Sequence, residues 1–256
     1  MRDIDLHHIM PYVNEQMLIG HHLGLKGKIK TLLAEKHPKA LELKQLVTDL
    51  LNEGREKKTG LRQHLCINSS LPVQTEMICI FMIPKSLTAS LKRSNFQGRR
   101  SSRTAPFLIM YGKVMKTRKD YIALFAVTAG ARIREVAQQF KQEGDYLKMH
   151  AVQALALELA EGLAERAHQV IRDKWGFPDP VDFTMDGKRF QAKYQGQRYS
   201  FGYPACPNLE DQEKLFKLLQ PEKIGIHLTE GFMMEPEASV SAIVVSHPDA
   251  RYFNVH

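Results

Sequence analysis

The chain has 256 residues, a net charge of +8, a pI near 9.3 and ordinary hydrophobic and charged fractions of 43% and 25%. That length buries a substantial core as one large domain or two small ones, and no apolar run approaches membrane-spanning length. The charge would suit a polyanionic partner, but it is concentrated between His64 and Met115, where seven Lys and Arg residues face Glu76 alone. Cys66, Cys79 and Cys206 show neither metal-ligand spacing nor a disulfide framework, and the first residues lack a signal peptide's apolar core. A reducing cytoplasm is the expected compartment, with no membrane partner.

In chain order, residues Asp3 to Gly27 read as a helix followed by a glycine-punctuated turn. The histidine pairs His7/His8 and His21/His22 read as surface or helix-end residues, because adjacent positions do not share a helical face. Pro38 to Glu56 is an amphipathic helix, with Ala40, Leu41, Leu43, Leu46, Val47, Leu50 and Leu51 at helical spacing. Residues 63–116 break the pattern. The apolar run Met77 to Ile83 is followed by Arg/Ser-rich low complexity around Arg99 to Arg103, which reads as a strand plus a loop. Nothing organises its charge into a nucleic-acid module, and no nucleic acid is expected as a partner.

Asp120 to Gly130 is unbroken in its apolar character and reads as a buried strand. Arg132 to Lys141 is a short helix with Ile133, Val136, Ala137 and Phe140 inward. Asp145 to Lys174 is the longest helix, with Leu147, Ala151, Leu155, Leu159, Leu163, Ala167 and Ile171 on its core face. Glu158, Glu161, Glu165 and His168 recur at i+3 and i+4 along it and read as solvated charges. A di-iron site would need a second Glu-x-x-His and two further carboxylates, and the sequence holds one Glu-x-x-His copy. Trp175 to Pro180 ends the helix, and Asp186-Gly187 marks a hairpin turn. Glu213 to Leu219 reads as a helix; Ile224 to Leu228 and Ser239 to Val245 read as strands.

The stretch Tyr194 to Asn208 stands apart. Pro204 and Pro207 exclude a helix and a continuous central strand, and Gly196 and Gly202 permit turns or close ligand approach. Its one guanidinium, Arg198, stands in sequence among Tyr199, Phe201 and Tyr203. A planar fork beside aromatic faces suits a ligand that joins a carboxylate to a cationic or π group.

The order Arg198-x-x-x-Gly-Tyr-Pro-Ala-Cys-Pro207 resembles the reactivation (S-adenosylmethionine-binding) domain of cobalamin-dependent methionine synthase. Leu228-Thr-Glu-Gly-Phe-Met-Met-x-Pro-x-Ala-Ser-Val-Ser241 and Ser246-His-Pro-Asp-Ala-Arg-Tyr-Phe253 agree in order and spacing, and Ala154 to His168 is similar to the family's long helix. The resemblance covers residues 1–61 and 117–256. It implies one α+β domain over 1–256, a twisted antiparallel sheet with flanking helices. Implied roles are Arg198 on the ligand carboxylate, and Gly202, Tyr203 and Ala205 as the loop wall. Tyr252 and Phe253 would offer ring faces to the adenine or sulfonium end. Glu161 and Asn14 would lie on the ligand side, Asn14 standing where some relatives carry an acid.

The resemblance further implies S-adenosylmethionine as ligand and cobalamin held by a separate domain or chain. The implied partners are that cobalamin-binding domain and a flavodoxin-type electron donor. A non-catalytic docking module, or the inactive product of a disrupted gene, are the other readings. The latter comes from residues 63–116, which, back-translated and read one frame over, can give text similar to the family's segment there.

Overall fold

The computed structural model describes residues 8–56, 122–129, 132–181, 183, 191–246 and 250. The strand expected at Met77 to Ile83, the shifted-frame reading of 63–116, the Asp186-Gly187 turn, and Tyr252 and Phe253 lie outside these. The chain divides into two compact units. The first holds Met1–Ile78, Ala126–Ala167 and Gln220–Val240; the second holds Cys79–Phe125, His168–Leu219 and Ser241–His256.

In the first unit, the N-terminal helix expected from Asp3 to Gly27 is broken. A 3-10 turn over Met10–Tyr12 gives way to a π-helix over Gln16–His22. The turn ends at Val13, whose backbone is extended (φ −74°, ψ 133°), and the Asn14 side chain restarts the helix by accepting the Met17 N–H at 3.2 Å. Helix α1, Ile29–Ala34, follows, and then α2, Pro38–Glu56. These pack with the π-helix, around Leu18, Ile19, Ile29, Ala40, Leu43, Val47 and Leu50. Leu41, assigned above to the apolar face of α2, is exposed, because it sits on the turn that points away from these contacts.

Strand β1, Ile122–Thr128, is buried along almost its whole length. Helix α3, Ile133–Gln142, precedes the long helix α4, Tyr146–Trp175. Six of the seven positions expected on the α4 core face, Ala151, Leu155, Leu159, Leu163, Ala167 and Ile171, are buried. Leu147, in the first turn, is exposed instead. Gly162 lies under the N-terminal 3-10 turn: a Cβ there would meet Ile9 Cγ2 at 3.3 Å and the Tyr12 carbonyl carbon at 3.4 Å. That close crossing leaves little room for a side chain.

In the second unit, β2, Gln197–Tyr199, forms an edge, and α5, Gln212–Leu219, buries Leu215, Phe216 and Leu219. The Tyr194–Asn208 stretch is thus partly a strand, which an edge position allows because only one side of β2 is paired. β3, His227–Leu228, and β4, Met234–Glu235, form a two-stranded antiparallel hairpin in the first unit. Strand content expected from Ile224 is shifted, because Pro221 starts a 3-10 turn that runs to Ile224. The last strand, β5, Ser239–Val245, is the centre of a sheet ordered β1–β5–β2. β2 pairs with β5 antiparallel, Gln197 opposite Val245 and Tyr199 opposite Ile243. Helices and small antiparallel sheets give the expected α+β class.

Candidate functional site

In the second unit, β2 places Arg198 between Gln197 and Tyr199, whose side chains are buried while Arg198 is half-exposed. The alternation is the period-two geometry of a strand with one covered face. Gly196 sets the start of β2 with φ +83°, and a Cβ there would stand 2.9 Å from the Val245 carbonyl oxygen. The close approach is therefore to β5.

Beyond β2 the chain folds back on itself. The Gly202 N–H donates to the Cys206 carbonyl at 2.8 Å, and the Cys206 N–H donates to the Tyr203 carbonyl at 2.9 Å. Gly202 has φ +82°, and Leu209 Cδ2 would lie 3.0 Å from an added Cβ. This turn leaves Tyr203 56% exposed and Ala205 half-buried, while Tyr199, Phe201 and Cys206 are buried. Of the three rings next to Arg198 in sequence, two are therefore core residues and one faces solvent. Burial, with Asp211 nearby, pushes the Cys206 thiol up to about 11, so it is a protonated structural thiol.

Behind this strand and turn lies a cluster that sequence reasoning missed. Arg172 is fully buried and holds Asp179 through two bonds, Nε to Oδ1 at 2.8 Å and Nη2 to Oδ2 at 2.7 Å. Its guanidinium also lies 3.9 Å from the centre of the Tyr194 ring. His168 meets the same ring edge-on at 4.9 Å. Neither of its ring nitrogens has a hydrogen-bond partner among the described residues. Burial first, then the Arg172 and Arg198 charges, holds the imidazole well below the usual histidine range. A cleft of about 500 Å³ opens beside Phe177, Phe183, Lys193 and Tyr194. The signal for Arg172 was an arginine in the last turn of a helix with an aspartate seven residues on.

In the first unit, Asn14 and Glu161 both lie against Glu158. Glu158 takes a hydrogen bond from the Asn14 backbone, and its Oε1 lies 3.1 Å from His22 Nε2. Burial, reinforced by the Glu161 carboxylate, pushes the Glu158 carboxyl from its ordinary 4.5 up to about 7, against the pull of Asn14 and His21. The reading of Glu158, Glu161, Glu165 and His168 as solvated charges is corrected: only Glu161 is exposed. The α4 helix carries alanines and leucines nearly all round, so its polar positions are drawn inside with it. Among the described residues, no group of three or more His, Cys, Asp or Glu side chains is arranged to hold a metal ion.

In sum, Arg198, Gly202, Tyr203 and Ala205 share one strand and turn of the second unit. Asn14, on the N-terminal segment, and Glu161, on α4, both act on Glu158 in the first.

The chain was compared with known proteins. A family model described as vitamin B12 dependent methionine synthase, activation domain, matches residues 7–256. Methionine synthase of Mycobacterium tuberculosis is 38% identical over 144 residues, covering 53% of this chain and 12% of that protein. Methionine synthase of Mycobacterium leprae is 37% identical over 148 residues, covering 55% and 12%. The chain thus spans about an eighth of the curated relatives it matches. Among solved structures, the MetH reactivation domain bound to AdoHcy is similar with a TM-score of 0.70 and 25% identity, covering 99% of this chain and 79% of that one.

Proposed function

From the premise that the chain belongs to the vitamin B12-dependent methionine synthase activation-domain family, we propose that it binds S-adenosylmethionine and orients it toward a cobalamin held elsewhere. The AdoHcy complex of the similar reactivation domain supports this ligand class. When bound, the two groups supply a displacement at the sulfonium methyl by reduced cobalt, so this chain's contribution is orientation and electrostatics. The match across residues 7–256 supports taking the chain as one activation domain.

The donor set fits an amino-acid sulfonium. Arg198 holds the carboxylate with its planar fork. Gly202, Tyr203 and Ala205 form a wall whose backbone is fixed by the two bonds between Gly202, Tyr203 and Cys206, and Tyr203 presents a ring to solvent. Tyr252 and Phe253, which the resemblance assigns to the adenine or sulfonium end, lie outside the described residues. In the first unit, taken by itself, Glu161 is an exposed carboxylate that the resemblance assigns to the ligand. Asn14 contributes in this reading by holding Glu158 through its backbone, its side chain accepting the Met17 N–H. The observation that carries the reading is the placement of a half-exposed guanidinium and an exposed tyrosine on one strand and turn whose other aromatic residues are buried.

The methyltransferase contribution, the cobalamin-binding domain as partner, a flavodoxin-type donor and a cytoplasmic setting belong to the same proposal. No helix among the described residues is long and apolar enough to cross a membrane. Titration calorimetry with S-adenosylmethionine tests the binding, with saturable one-to-one heat expected. Addition of a cobalamin-binding domain under reducing conditions should then consume S-adenosylmethionine. Absence of saturable heat would overturn the reading.

A further inference from the structure

The N-terminal segment crosses α4 at two points one turn apart. At Gly162 the crossing is steric, because Ile9 and the Tyr12 backbone occupy the space of a side chain. At Glu158 it is polar. The carboxylate takes the Asn14 backbone bond and sits 3.1 Å from His22 Nε2. His22 is itself held, since His150 Nε2 on α4 lies 2.8 Å from the His22 carbonyl oxygen. His21 meets the His22 ring edge-on at 5.3 Å. Glu161, between the two crossing points, stays exposed.

We propose that Glu158 is a positioning residue for the Glu161 face. It fastens the N-terminal segment to α4 through Asn14 and His22, and it sets the negative charge that Glu161 presents to a cationic ligand. The charge-setting half rests on the ligand reading above.

The groups acting on Glu158 are Glu161 on its own helix and His21, His22 and the Asn14 N–H on the N-terminal segment. The hydrogen bond to His22 survives in either state of the carboxyl group: protonated, it donates to Nε2; ionised, it accepts from Nε2–H. The fastening therefore persists while the charge changes. With a midpoint of about 7, that change falls in the neutral range. An ionised Glu158 adds its charge to that of Glu161, one turn away, and the sum favours an ammonium or sulfonium.

Two measurements on the whole chain test this. In a carboxyl-carbon NMR titration with labelled glutamate, one resonance absent from Glu158→Gln should move with a midpoint of about 7. His22→Gln, which keeps the fold but changes the partner, should shift it. A midpoint at the ordinary 4.5, or one unmoved by His22→Gln, overturns the pairing. In calorimetry with S-adenosylmethionine, the ratio of wild-type to Glu158→Gln affinity cancels the ligand's own titration. It should rise about threefold to tenfold from acid to alkaline pH, as expected for one added charge across a turn at intermediate dielectric. A purely structural role would leave the ratio constant, and a constant ratio overturns the charge-setting. No binding by either chain at any pH overturns the ligand reading and the charge-setting with it, while the carboxyl titration still decides the fastening.

Discussion

The long helix α4 buries charge in two ways. In the second unit, Arg172 is enclosed with a matching carboxylate in fork geometry and an aromatic ring against its face. In the first, Glu158 is enclosed with a histidine, an amide N–H and a like-charged neighbour. The first arrangement sets each charged group against an opposite one. The second is relieved by taking up a proton near neutral pH. The difference teaches that burial alone does not say whether a charge survives; the partner does.

The sharpest way to break that comparison is to remove the partner. Arg172→Ala leaves the Asp179 carboxylate enclosed without its guanidinium, and the expected loss of stability is about 3–5 kcal/mol in urea unfolding. A loss below about 1 kcal/mol would show that water reaches the pair. The double variant Arg172→Met with Asp179→Leu should recover most of the loss, because two apolar groups leave no charge to desolvate.

Arg198 tests the same unit through binding. Arg198→Ala should weaken S-adenosylmethionine about tenfold to a hundredfold, the equivalent of a charge-assisted bond worth about 1.5–3 kcal/mol. Arg198→Lys should recover only part, since it lacks the planar fork. A ligand analogue without the carboxylate should bind wild type and Arg198→Ala about equally. If it is weakened as much as the parent ligand, Arg198 holds the loop together and does not read the carboxylate.

The two glycines of the loop should separate backbone from side-chain constraint. Gly196→Ala drives a Cβ against the Val245 carbonyl oxygen of a central strand, at a positive φ, and should cost about 1–3 kcal/mol in thermal unfolding. Gly202→Ala shares the strained φ but meets only the Leu209 side-chain end, so its cost should be smaller. Equal costs would mean that conformational strain alone decides both.

The smallest effect is the pH dependence of Glu158. Its folded midpoint of about 7 lies above the ordinary 4.5, so its contribution to stability is fully present below 4.5 and is lost as pH rises through about 7. The stability of wild type relative to Glu158→Gln should fall across that window and level off above it. Urea unfolding at half-unit pH steps measures this, and a flat difference would place Glu158 in contact with water.

Composition and periodicity were enough for α2, β1, α3, α4, α5 and β5, because each has a strong apolar repeat or an unbroken apolar run. The Arg198–Pro207 order, with the two motifs after it, was enough to mark the family. Sequence fell short where a local rule met a tertiary one. The N-terminal helix was overextended because the chain turns extended at Val13 and restarts at the Asn14 cap, within a close crossing over Gly162 of a distant helix. Tyr194 to Asn208 was read as wholly irregular because β2 has only three residues and exists only through its pairing with β5. Glu158, Glu165 and His168 were read as solvated because spacing shows which residues share a helix face, not what covers that face.

The sequence alone determined which segments form helices and strands, and which short motif carries the guanidinium, because both depend on residues near one another in the chain. Only the tertiary structure decided that Arg172 is paired with Asp179 against Tyr194, that Gly196 is needed beneath Val245, and that Glu158 rather than Glu161 is the buried carboxyl group. Each of those outcomes depends on dielectric and distance, which neighbours far apart in sequence set together.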